Sequence, residues 1–109
     1  MIAKNKMIIY VDIDETICQT PESRNYSKSQ PIQERIEKIN SLYEQGNQII
    51  YWTARGTTTG IDWRPTTEKQ FREWGVKFHE LHFGKPNYDI FIDDKNINSE
   101  QFFKKEKTK

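Results

Sequence analysis

A chain of 109 residues with a net charge of +1 fits one domain, residues 1–109, and has no basic excess that would point to nucleic acid or an anionic membrane. Its aromatic content of 13% and low net charge exclude a disordered chain, but an apolar fraction of 34% predicts a thin core. A homo-oligomer interface is one way for such a core to gain burial. Cys18 is the only cysteine, which excludes an internal disulfide and a zinc cluster and reads as a buried or flap thiol. No apolar stretch approaches about 18 residues, and no signal peptide is read ahead of the first strand, so a soluble cytoplasmic protein is expected.

The apolar run 7–11 predicts a first strand. Residues 13–29 lack a helical period and carry Pro21, Ser23, Asn25 and Ser27, which predicts a long loop of the kind that often serves function. Pro31 is placed at the first position of a helix whose stripe is Ile32, Ile36, Ile39 and Tyr43, with Gly46 as its left-handed stop. A second strand follows at 48–52, then a polar loop at 53–65. Thr67 and Gln70 read as a capping box for a helix ending at Trp74 and Gly75. Residues 78–82 predict a third strand, 84–87 a turn and 89–92 a fourth strand. Asn98 or Ser99 caps a short last helix through Phe103. The residues after Phe103 form a small basic tail that reads as a solvated terminus. Alternating strands and helices imply βαβ units and a parallel sheet.

Ligands of such sheets sit beyond the carboxyl ends of the strands. The polar residues gather at those ends: Asp12 and Asp14 after the first strand, Thr53 after the second, and Asp93 and Asp94 after the fourth. Lys85 lies in the turn before the fourth strand. Carboxylates are almost never buried without partners, so four of them at one sheet edge call for a cation. Oxygen donors without clustered His or Cys suit Mg²⁺, with Asp12, Asp14, Asp93 and Asp94 as the candidate metal set. Lys85 adds a point charge, Thr53 a hydroxyl, and the loop Thr53-Ala54-Arg55-Gly56 amides able to face an anion. These are the parts needed for phosphoryl transfer.

The pattern resembles the haloacid dehalogenase superfamily of phosphohydrolases. The resemblance rests on Asp12-x-Asp14-x-Thr16, Thr53, Lys85 and Asp93-Asp94 in that order, and it spans residues 8–94. It implies a three-layer α/β/α, Rossmann-like parallel sheet. It also implies that Asp12 is a nucleophile forming an aspartyl-phosphate and that Asp14 is the general acid and then base. Asp14 has to start protonated, which the neighbouring carboxylates favour. Its backbone carbonyl would also bind Mg²⁺. Thr53 and Lys85 would hold the transferring phosphoryl group, and Asp93 and Asp94 would bind the metal.

Many relatives carry an inserted cap, but here the loops leave no room for one, so the chain looks capless. Arg55 and the loop Thr57 to Arg64 are the candidates for recognising the substrate, with Arg55 and Arg64 able to fork onto a phosphate, carboxylate or sugar hydroxyl. Trp63 offers an apolar wall or a subunit contact, and Glu22, Arg24 and Tyr26 are weaker candidates on the flap. Trp52-Thr53-Ala54-Arg55-Gly56, Asp62-Trp63-Arg64, Phe83-Gly84-Lys85-Pro86 and Ile92-Asp93-Asp94-Lys95 are similar to small capless phosphatases of bacterial capsule or surface-polysaccharide synthesis. That similarity implies a phosphorylated sugar or small polyol as substrate. The alternatives are a phosphatase of a phosphoprotein or nucleic-acid end, and a non-enzymatic, metal-dependent phospho-switch.

Overall fold

The computed structural model describes residues 6–104 and shows an α/β protein built on a parallel sheet. Most of the basic tail, residues 105–109, lies outside the described residues. The elements are β1 (Ile8–Val11), β2 (Cys18–Gln19), β3 (Gln30–Pro31), α1 (Gln33–Glu44), β4 (Gln48–Trp52), α2 (Arg64–Trp74), β5 (Glu80–His82) and α3 (Ser99–Phe102). The main sheet has the order β1-β4-β5, with both pairs parallel. Register sets Val11 beside Tyr51 and Trp52 beside His82, so the strand ends are level. Antiparallel β2 and β3 close the loop after β1 into a flap.

One apolar cluster holds this frame. Val11, Ile49, Tyr51 and Leu81 from the sheet meet Ile36 and Ile39 of α1 and Phe71 and Trp74 of α2. Those strand residues alternate along the chain, as one face of a pleated sheet requires. The Tyr51, Phe71 and Phe78 rings pack edge to face, with Tyr51 and Phe71 centroids 5.0 Å apart. Asn40 ties α1 to the end of α2, donating to the Gly75 carbonyl at 2.8 Å and accepting from the Lys77 amide at 2.9 Å. Gly75 takes the left-handed conformation (φ 70°) that stops α2.

Four expectations are corrected. Pro31 belongs to β3, where it pairs with Cys18, and α1 starts two residues later at Gln33. Proline's fixed φ suits an edge strand as well as a first helical turn. Helix α2 begins at Arg64, so Thr67 and Gln70 lie inside it, buried, and do not form its capping box. The third strand shrinks to 80–82: the His79 amide still donates to the Ile49 carbonyl at 2.9 Å, but the Ile49 amide donates to the His79 ring at 3.0 Å in place of a backbone carbonyl.

The fourth correction is the largest. Residues 89–92 form no strand, and Ile90 and Ile92 are exposed. The segment satisfies its backbone locally: Asp93 accepts from the Lys95 amide, and Asn96 donates to the Phe91 carbonyl. The consecutive Ile90, Phe91 and Ile92 supply strand propensity, but a strand also needs a ladder partner, and local turns compete with one. Strand β1 is therefore an edge, with Ile8 and Tyr10 exposed. The expected third layer is not formed among the described residues. Short α3 instead joins α1, through Arg35 to Glu100 at 3.1 Å and the Lys38 ammonium to the Phe102 carbonyl at 2.9 Å.

Candidate active site

The loop after β1 is shaped by its isoleucines. Ile13 and Ile17 are fully buried, and the Ile13 carbonyl accepts from the amides of Thr16 and Ile17. With Ile13 anchored in the core, Asp12 and Asp14 both border a pocket of about 590 Å³ beyond the strand ends. That volume suits a small molecule. Lys85 enters it from the turn after β5. The Lys85 amide donates to the Thr53 carbonyl at 3.1 Å, and the Thr57 hydroxyl donates to the Lys85 carbonyl at 2.8 Å. These two bonds fix the turn, and the Lys85 ammonium lies 3.6 Å from Asp12 Oδ2. Partial burial pushes the Asp12 carboxyl above its ordinary range, and Lys85 opposes that rise. The Ile13 amide also donates to Asp12 Oδ1 at 2.9 Å.

Asp14 has a different environment. Arg55 forks onto its carboxylate, with Nε at 3.0 Å from Oδ2 and Nη2 at 2.9 Å from Oδ1. The Thr20 hydroxyl also donates to Oδ1. Cys18 lies beside this pair, and burial, aided by Asp14, pushes its thiol up to about 12. It is thus a neutral thiol at physiological pH and not a nucleophile.

The expected site residues divide into two groups. Asp12, Asp14, Ala54, Arg55 and Lys85 border the pocket, as do Trp63, Arg24 and Tyr26. Thr53, Arg64, Asp93, Asp94 and Glu22 do not. Thr53 is buried at the end of β4, and its hydroxyl accepts from the Arg55 amide at 3.1 Å, which takes that amide away from any anion. Arg64 turns to α2 and β5: it meets Glu68, donates to the Leu81 carbonyl at 3.4 Å and lies over the Phe83 ring. Arg55 has no exposed side-chain surface, so its guanidinium cannot grip a substrate. The carboxylate set Asp12, Asp14, Asp93 and Asp94 is not assembled, because the fourth strand that would deliver two of them is absent. No group of three or more His, Cys, Asp or Glu able to hold a metal occurs among the described residues.

Sequence reasoning missed Glu15, Asn87 and Tyr88 as pocket residues, while Thr58, Thr59 and Ile61 border the pocket from the expected recognition loop. Glu15 and Arg24 both sit at left-handed φ and pair with each other at 3.1 Å, which pins the flap to the loop after β1. Asn87 donates to the Thr58 hydroxyl across the mouth. Gly56 turns the chain under the pocket at φ 80°, where a Cβ would lie 2.1 Å from the Ile61 carbonyl oxygen. Gly56→Ala is therefore expected to destabilise the protein by about 1–3 kcal/mol, read as a lowered denaturation midpoint.

A solved structure of a structural-genomics target from Vibrio cholerae is similar in fold. Its TM-score is 0.78 at 25% sequence identity, over 90% of this chain and 87% of that one. No protein-family model and no curated protein matches the chain. No helix among the described residues is long and apolar enough to cross a membrane.

Proposed function

We propose that the protein is a phosphomonoester hydrolase of the haloacid dehalogenase type, without a cap, with Asp12 as nucleophile and Asp14 as general acid and base. The carrying observation is the meeting of Lys85 and Asp12 at 3.6 Å, beside Asp14, in a pocket of small-molecule size. Residue 85 is far from residues 12 and 14 in sequence, and the phosphoryl-transfer pattern requires the three together. The Asp12 carboxylate attacks phosphorus, the bond to the leaving oxygen breaks, and that oxygen takes a proton from Asp14. Asp14 then takes a proton from the water that attacks the same phosphorus, the bond to Asp12 breaks, and phosphate leaves. Lys85 offsets the charge on Asp12 and the phosphoryl oxygens. Trp63, Tyr26 and Asn87 are the walls available to a sugar or polyol, consistent with a small phosphorylated substrate of surface-polysaccharide synthesis.

Of the four expected metal ligands, Asp12 alone offers the pocket a carboxylate not already forked by an arginine, so Asp12 is the one protein carboxylate that would hold Mg²⁺, with water and substrate phosphate as its other oxygens. No step above is routed through a metal. The charge balance favours a dication. The pocket's Asp12, Asp14 and Glu15 are matched by Arg24, Arg55 and Lys85, so a bound phosphate dianion is left uncompensated. Hydrolysis of p-nitrophenyl phosphate is the test. We expect it to fall at least about 10-fold in EDTA and to return with Mg²⁺. Full activity in EDTA would remove magnesium from the reading, and no hydrolysis under any condition would remove the phosphatase.

A further inference from the structure

Arg55 is the most heavily committed side chain around the pocket. Its guanidinium is sealed from solvent, and each of its nitrogens has an acceptor. Nη1 donates to Thr67 Oγ1 at 2.9 Å and to Gln70 Oε1 at 2.7 Å, both on α2. Nε and Nη2 hold Asp14, and Nη2 also reaches Ser29 Oγ at 3.4 Å. The Tyr26 ring lies 4.8 Å from the guanidinium carbon, and Gln70 donates onward to the Tyr26 carbonyl at 2.6 Å. The fork thus joins the flap, helix α2 and the loop after β1 at one carboxylate.

The two oxygens of that carboxylate are loaded unequally. Oδ1 receives Arg55 Nη2, the Thr20 hydroxyl and the Cys18 thiol at 3.5 Å, with Arg55 Nε also 3.3 Å away. Among the described residues Oδ2 receives Arg55 Nε alone. A carboxylate oxygen has about two lone pairs, so Oδ1 is saturated while Oδ2 keeps one free.

We propose that Arg55 is the positioning residue of Asp14: its buried fork fixes the carboxylate plane and reserves Oδ2 as the oxygen that gives and takes the proton. The inference rests on the phosphatase reading above. Arg55 has no exposed side-chain surface from which to touch a substrate, and it acts on the reaction only through Asp14. The proton balance closes within the cycle, since Asp14 Oδ2 loses a proton to the leaving oxygen and regains one from the attacking water. Lysine cannot replace this fork, because one ammonium nitrogen cannot span both oxygens and α2.

The test compares kcat/KM for p-nitrophenyl phosphate and for an alkyl phosphate such as glycerol phosphate. This parameter reports the steps up to departure of the leaving group. A nitrophenolate leaves without a proton, whereas an alkoxide needs the one on Asp14. Arg55→Lys is expected to lower the alkyl value at least about 10-fold more than the aryl value. Thr67→Val, which removes one acceptor of Nη1, should move the ratio the same way by less. Both readings are ratios between substrates, so a partly unfolded preparation does not alter them, and Thr67→Val decides the matter if Arg55→Lys does not fold. Equal losses on both substrates in the variants would overturn the proposal and leave Arg55 a purely structural residue. If the proposal fails in this way while Asp12→Asn is inactive, the phosphatase reading stands; an active Asp12→Asn would sink that reading itself.

Discussion

Asp12→Asn is expected to lower kcat/KM for an aryl phosphate by about 10⁴-fold or more, the scale at which removing a covalent nucleophile acts. The amide cannot form the acyl phosphate, and it discards the charge that Lys85 faces at 3.6 Å. The loss will not be a folding defect. Burial raises the Asp12 carboxyl above its ordinary range despite Lys85, so between its unfolded and folded values the native state binds more protons than the unfolded state. Stability then falls as pH rises through that window, and above it the ionised Asp12 carries a net cost. In metal-free buffer at neutral pH, Asp12→Asn should be at least as stable as the parent. The advantage should fade as pH drops below the ordinary carboxylate range, where both side chains are neutral. Thermal melts across pH check the sign.

Asp14→Ala should behave in the opposite way, losing both turnover and stability. Asp14 is the carboxylate partner of a guanidinium with no exposed surface, and its own side chain is only 14% exposed. Removing one member of a buried pair leaves the other charge uncompensated, which costs about 3–5 kcal/mol. In a chain of 109 residues that lowers Tm by more than about 10 °C. Asp14→Asn keeps an acceptor for Arg55 and should fall between the two, so the pair separates charge from shape. A melting temperature equal to the parent's in Asp14→Ala would mean that the Arg55 fork contributes nothing to the fold.

The elements with strong local signals were legible from sequence. The stripe Ile36 and Ile39 marks α1, Gly75 ends α2, and Asn98 caps α3 with its side chain on the Glu100 amide. The meeting of Lys85 with Asp12 was expected from the resemblance alone, and the parallel sheet accounts for it, since both sit just beyond strand ends. What failed depended on partners rather than propensity. Residues 89–92 carry an apolar run that reads as a strand, yet their ladder partner is a property of the whole fold, and with that strand go Asp93 and Asp94.

Arg55 failed for another reason. An arginine in a polar, glycine-bearing loop reads as exposed. A signal to the contrary lies in α2, where Thr67, Gln70, Phe71 and Trp74 share one buried stripe. Two polar residues inside an apolar stripe need buried partners. A multiply donating side chain from a neighbouring loop meets that need, and Arg55 is the one that does.

The most direct measurement of the central claim is chemical trapping of the intermediate. The protein is mixed with p-nitrophenyl phosphate and Mg²⁺, quenched during turnover with borohydride, digested and read by mass spectrometry. An acyl phosphate is reduced to the alcohol, so homoserine is expected at position 12 and at no other carboxylate, with none in Asp12→Asn. Steady hydrolysis with position 12 unreduced, or reduction at another residue, would contradict Asp12 as the nucleophile.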